Sequence, residues 1–162
     1  MKLCLSLALL LGVHVGFAHA DLASASPEQN AVLSESPSEV VLNYTEAVEV
    51  RFSMFKVYAL EVAGDLSEPQ DRLRINAAAG ALMSEALDAE DDTEEDAEED
   101  GASRADTGVL TEARTSDMVT LALGTLEFGA LEPGFYVVMW RVLSVDTHTS
   151  TGSFVFEYNP NG

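Results

Sequence analysis

The chain has 162 residues, 28 acidic side chains against 8 basic ones, a formal charge of −20, and 47% hydrophobic residues. That length holds one domain, or one domain with a tail, and the apolar content supports a packed core rather than wholesale disorder. The charge excludes a basic nucleic-acid surface and argues against docking on an anionic membrane, while it favours cations.

Residues 1–18 begin with Met1 and Lys2, continue through an apolar stretch from Leu3 to Val15 and end in small residues. This is the layout of a secretory signal peptide. The apolar run falls short of the ~20 residues a spanning helix needs, so the product is expected to be exported and soluble. Cleavage fits two places. Ala18, His19 and Ala20 form an A-x-A triplet that would leave Asp21 first, whereas Gly16, Phe17 and Ala18 would leave His19 first; the local pattern slightly favours the former. The single cysteine, Cys4, departs with the signal, so no disulfide is expected and residues 19–162 must rely on a core.

Beyond the signal come short β-branched and aromatic runs separated by turn residues. Residues 40–44 are the first strand candidate, after the Ser36, Pro37, Ser38 turn. In 48–52 the apolar Val48, Val50 and Phe52 alternate with Glu49 and Arg51, which predicts a half-buried strand. Further strands are expected over 55–62, 119–123 and 135–143, the last opened by Glu132, Pro133 and Gly134, and Phe154, Phe156 and Tyr158 line one face of a terminal strand. Residues 22–25 and 73–75 read as short edge strands, and the alanine-rich 77–89 as a short helix or a ramp into an acidic insert. Many short strands predict an all-β sandwich or Greek-key β-barrel.

The acidic insert, residues 85–106, interrupts this body with twelve acidic side chains and one arginine, a net −11; without them and Lys2 the chain still carries about −10. Such a block repels itself and buries little, so it is expected to be disordered and solvated. A weak cation-collecting role is the sharper alternative.

Two of the three histidines, His19 and His148, outlast the signal. If 144–148 is extended, Asp146 and His148 point to one face. Alone, such a pair is ordinarily surface polarity or a hydrogen bond. If cleavage follows Ala18, however, His19 offers its α-amino group and imidazole Nδ1 to one metal. With His148 and Asp146 the set becomes three nitrogens and one oxygen, which suits a tetragonal Cu(II) site. Glu46 is a further weak ligand or an acceptor for the ligands, and taken alone it is a carboxylate at a strand end.

Taken together, His19, Ala20, Leu22, Ser26 and Pro27; Leu42 to Glu46; the block Tyr136-x-Val138-x-Trp140-Arg141-x-x-Ser144-x-Asp146-x-His148; and Gly152-x-Phe154-x-Phe156 resemble the CopC family of periplasmic copper-binding proteins. The resemblance covers roughly 18–62 and 119–158. It implies a seven-stranded Greek-key β-barrel binding Cu(II) through the His19 amine and imidazole, Asp146 and His148, with Glu46 nearby. It implies cleavage after Ala18, a periplasmic location, a role in copper sequestration, trafficking or resistance, and a membrane copper transporter of the CopD type as partner. Some members add a Cu(I) site rich in methionine; here Met54, Met83, Met118 and Met139 are scattered, which predicts Cu(II) alone. Trp140 is expected to pack in or near the core.

A binding protein without catalysis is therefore expected. Two alternatives stand beside it. An N-terminal histidine with a second histidine also resembles the copper brace of lytic polysaccharide monooxygenases, although aromatics are only 7% of residues. A metal-free interaction module is the other.

Overall fold

A computed structural model of the protein describes residues 19–91, 108–111, 115–123 and 131–161. The signal-peptide expectation over 1–18, with Cys4 and His14, lies outside these residues, as does 92–106 of the acidic insert.

Eight described strands form two four-stranded sheets. One has the order β1 (Leu22–Ser26), β3 (Glu39–Glu49), β6 (Thr115–Leu123), β5 (Gly108–Leu110). The other has the order β2 (Val32–Leu33), β8 (Thr149–Tyr158), β7 (Gly134–Leu143), β4 (Met54–Leu60). All pairings are antiparallel except the two-residue β2 with β8. The all-β expectation thus holds as a sandwich.

Between the sheets lies a core in which Val40, Leu42, Tyr44 and Val48 of β3 meet Tyr136, Val138, Trp140 and Val142 of β7, with Phe154 and Phe156 of β8. The period-2 alternation of these residues is what commits each strand to one buried face. Trp140 is buried as expected, edge-on to Tyr44 at 6.5 Å and tilted against Phe154 at 6.1 Å between ring centroids.

The expected strand at 73–75 is instead part of a 23-residue helix, α1 (Pro69–Asp91), which also absorbs 77–89 and the first seven residues of the acidic insert. Pro69 suits the first helical position, Asp71 suits the positive end of the helix dipole, and the alanines beyond them are strong helix formers. Ile75, Ala79, Leu82 and Met83 are buried at helical spacing against Phe135, Val137 and Met139 of β7 and Val155 of β8. Leu73, two residues from Ile75, is 75% exposed, which a strand's alternation would not allow. With α1 on one side and the other sheet opposite, β7 is covered on both faces. This explains why 135–143 reads as a nearly continuous apolar run rather than an alternating one.

A second departure falls at 48–52. β3 ends at Glu49 and the chain turns through one 3-10 turn, Val50–Phe52. The turn breaks the alternation, so Val50 stays buried while Phe52 is 70% exposed, with the Arg51 guanidinium over its ring.

Candidate metal centre

The site is assembled where β3 leaves its partner. β3 pairs with β6 up to Asn43 and again from Val48, with an irregularity between. Along that stretch its backbone serves two other segments. On one side Thr45 N–H donates to the Asp21 carbonyl at 2.9 Å, Asp21 N–H donates to the Thr45 hydroxyl at 3.0 Å, and that hydroxyl donates to the His19 carbonyl at 3.2 Å. On the other side Val48 bridges Ser144, and Val145 N–H donates to the Ala47 carbonyl at 3.2 Å. Ala20 is fully buried and anchors the N-terminal segment from below. One irregular strand therefore holds the start of the domain and the tip of the β7–β8 hairpin side by side.

That tip is not extended. Thr147 N–H donates to the Ser144 carbonyl at 2.9 Å, Ser144 N–H donates to the His148 carbonyl at 2.8 Å, and Thr147 has φ 74°. This is the hairpin loop in which a β-turn is followed by one left-handed residue. Asp146 and His148 meet because the turn folds them together, not because a strand alternates.

Asp146 Oδ2 lies 2.9 Å from His148 Nδ1, Asp146 Oδ1 receives the His148 backbone N–H at 3.3 Å, and the Ser144 hydroxyl is also bonded to Oδ1. These bonds hold the Asp146 carboxyl below the usual range. The Ser144 hydroxyl is the largest cause and the His148 backbone and ring contribute after it, partly offset by burial. A carboxylate on Nδ1 makes that nitrogen the proton donor and sets the ring's orientation. The His148 ring in turn packs edge to face on His19, with centroids 4.9 Å apart and an interplanar angle of 84°.

The structure thus brings together three of the four expected residues, pairwise through His148. Glu46, half-buried one residue beyond Thr45, takes no part in the hydrogen bonds that join them. Among the described residues no three His, Cys, Asp or Glu side chains form a ready-made ligand cluster. Sequence reading assigned no role to Ser144, Thr45 or Thr147. A serine two residues before an aspartate is a turn-starting pattern that points to Ser144, whereas Thr45 carries no signal that separates it from any strand threonine.

Sheet order and site together define a small β-sandwich that presents two histidines and an aspartate at one end. The chain belongs to the CopC family: the CopC domain model matches residues 22–159, a span that includes Glu46, Asp146 and His148 and begins just beyond His19. Among solved structures it is similar to CopC from Methylosinus trichosporium OB3b, at 20% identity over 89% of this chain and 97% of that one, with a TM-score of 0.52. It is also similar to PcoC, a methionine rich copper resistance protein from Escherichia coli, at 20% identity over 88% of this chain and all of the other, with a TM-score of 0.53. At such identities these likenesses speak for the fold. Comparison with functionally curated proteins returned no match.

Proposed function

We propose that the protein is an exported, periplasmic Cu(II)-binding protein that sequesters copper or passes it on, and that it is not an enzyme. Cleavage after Ala18 would make His19 the first residue and give it a free α-amino group. The ligands are then that amine, the His19 imidazole, His148 and Asp146, with Glu46 as a weak further ligand or an acceptor for the ligands. The partner in transfer is a membrane copper transporter of the CopD type.

The observation that carries this reading is the place of His148, between the His19 ring and the Asp146 carboxylate. Two imidazoles on one ion, with nitrogens about 2 Å from it, have ring centroids roughly 4.5–6.3 Å apart, depending on the ligand angle. The observed 4.9 Å lies in that span. Two neighbouring donors on such an ion are also about 2.8 Å apart, close to the 2.9 Å between His148 Nδ1 and Asp146 Oδ2. A small swing of ring or carboxylate would open Nδ1 to the metal, the ring's proton passing to Nε2, and the proton released on binding would come from the His19 amine. The borderline N/O donor set favours Cu(II). For soft Cu(I) the described methionines offer little: Met83 and Met139 are buried in the apolar layer between α1 and β7, Met118 is exposed on β6 and Met54 lies on β4.

Mass spectrometry of the secreted form is expected to find His19 first. Titration of that form should take up one Cu(II) per chain, with nitrogen hyperfine structure in its electron paramagnetic resonance spectrum. Full affinity in a chain starting at Asp21, or only oxygen donors around the metal, would overturn the reading.

A further inference from the structure

We propose that Ser144 is the positioning residue of this site: its buried hydroxyl pins one oxygen of Asp146 and so turns the other toward His148. The proposal rests on the Cu(II) reading for its functional meaning, and on the hairpin geometry for its substance.

Ser144 is 1% exposed and is the buried polar side chain among the described residues outside the aromatic set. A hydroxyl in that position must have a partner or cost the fold stability. Two acceptors are in reach, Asp146 Oδ1 and the His148 carbonyl at 3.1 Å. A serine hydroxyl has one proton to give. The His148 carbonyl already accepts the Ser144 backbone N–H at 2.8 Å. The carboxylate is charged, and bonds to charged acceptors are roughly twice as strong as neutral ones. The proton therefore goes to Asp146.

With the His148 backbone N–H at 3.3 Å on the same oxygen, Oδ1 holds two donors and the carboxylate cannot turn freely. Oδ2 is the oxygen left for His148 Nδ1 and for a metal. Asp146 is 30% exposed and the His148 side chain 53%, so neither is fixed by packing. Ser144, seated under the turn through its bridge to Val48, is the rigid member on which both depend. Ser144 thus commits Asp146 to one-oxygen coordination and holds Oδ2 beside His148 Nδ1 before any metal arrives; the His148 tautomer reports whether that placement is kept.

The test compares the mature wild-type chain with Ser144→Ala, Ser144→Cys and, as a control, Ser53→Ala. Ser53 supports the same hairpin's stem, accepting the Leu143 N–H at 3.0 Å and donating to the Glu49 carbonyl at 2.9 Å, without touching Asp146. Nitrogen-15 NMR of the metal-free proteins at one pH reads the His148 tautomer; Cu(II) competition titration reads affinity. Wild type should show one tautomer with its proton on Nδ1. Ser144→Ala should show a mixture of tautomers and lose about tenfold or more in Cu(II) affinity, the usual effect of removing a group that orients a ligand. Ser144→Cys, with a weaker donor of similar size, should fall between and serves alone if the alanine variant does not fold. Ser53→Ala should match wild type in both readings. An unchanged tautomer in the Ser144 variants, or the same change in Ser53→Ala, would overturn the proposal. If wild type takes up no copper, the Cu(II) reading fails, while the NMR comparison still decides the role of Ser144.

Discussion

Gly152 is the position at which the packing of the sandwich can be tested most sharply. It faces Trp140 directly across the β7–β8 ladder. A β-carbon placed there would fall on Cζ2 of the indole, 2.7 Å from Cε2 and 3.0 Å from Cη2. Carbon atoms rest about 3.5–4.0 Å apart, so the ring would have to retreat by about 1 Å. Tyr44 and Phe154 pack against the ring, at 6.5 and 6.1 Å between centroids, and restrict its retreat on those two sides. Overpacking of this kind costs about 1–3 kcal/mol, offset by ~0.5–1 kcal/mol from replacing a strand glycine by alanine. Gly152→Ala should therefore destabilise the domain by about 1–2 kcal/mol, a fall in Tm of about 2–8 °C. Urea and thermal unfolding followed by circular dichroism would measure it. Trp140→Phe introduced beside Gly152→Ala should recover part of the loss, with a coupling of at least ~0.5 kcal/mol. A Gly152→Ala protein as stable as wild type, or more stable, would refute the packing argument.

Three further outcomes are expected from the same structure. The Tyr44 hydroxyl is buried without a hydrogen-bond partner, so Tyr44→Phe should gain about 1 kcal/mol at neutral pH in urea unfolding. Burial also lifts the Tyr44 phenol far above its usual range. The unfolded chain releases this proton near pH ~10 and the folded one keeps it, so wild type should lose stability above pH ~10 by a slope that Tyr44→Phe lacks. On α1, Ile75→Ala should cost about 2–5 kcal/mol and Leu73→Ala less than ~0.5 kcal/mol by the same assay; equal effects would mean that the helix does not dock on the β7–β8 face through Ile75. Thr147, a β-branched residue at φ 74°, should yield a protein more stable by about 1 kcal/mol when changed to Gly. A lower Tm for Thr147→Gly would show that the threonine side chain itself supports the turn.

Much of the fold was legible because its strands obey a short-range rule. β3 and β8 commit alternate residues to one core, and that period is visible in Val40, Leu42 and Tyr44 and again in Phe154, Phe156 and Tyr158. The rule failed where a third layer intervened. Leu73, Arg74 and Ile75 alternate apolar, polar, apolar, which reads as a strand edge. The helical stripe through Ile75, Ala79, Leu82 and Met83 is set among exposed alanines, Ala77 and Ala81, so its contrast with the exposed face is low until the facing residues Phe135, Val137 and Met139 are known. The same missing layer made β7 look ordinary when its doubly apolar sequence was the sign of cover on both sides. At Phe52 a 3-10 turn succeeds three residues of correct alternation, and nothing within the run announces the turn.

The site was legible as a list of residues and illegible as a geometry. His19 and His148 could be named because imidazole is a scarce donor here, with only two histidines beyond residue 18, and Asp146 because it lies two residues before one of them. Their convergence depends on a property no local pattern encodes: the stretch of β3 between Asn43 and Val48 drops its β6 register and lends its backbone to Asp21 on one side and Val145 on the other. Restoring regular β3–β6 pairing there, by deleting the three residues Thr45, Glu46 and Ala47 so that Val48 and Ser116 fall into the register of Asn43 and Met118, should separate the His19 and His148 rings while leaving the core residues Val40, Leu42 and Val119 in place. The expected result is a folded sandwich, with near-wild-type circular dichroism, that has lost the His19–His148 nuclear Overhauser contacts. Retention of those contacts would mean that the hairpin tip and the N-terminal segment find each other without the strand between them, and that the irregularity in β3 is incidental to the site.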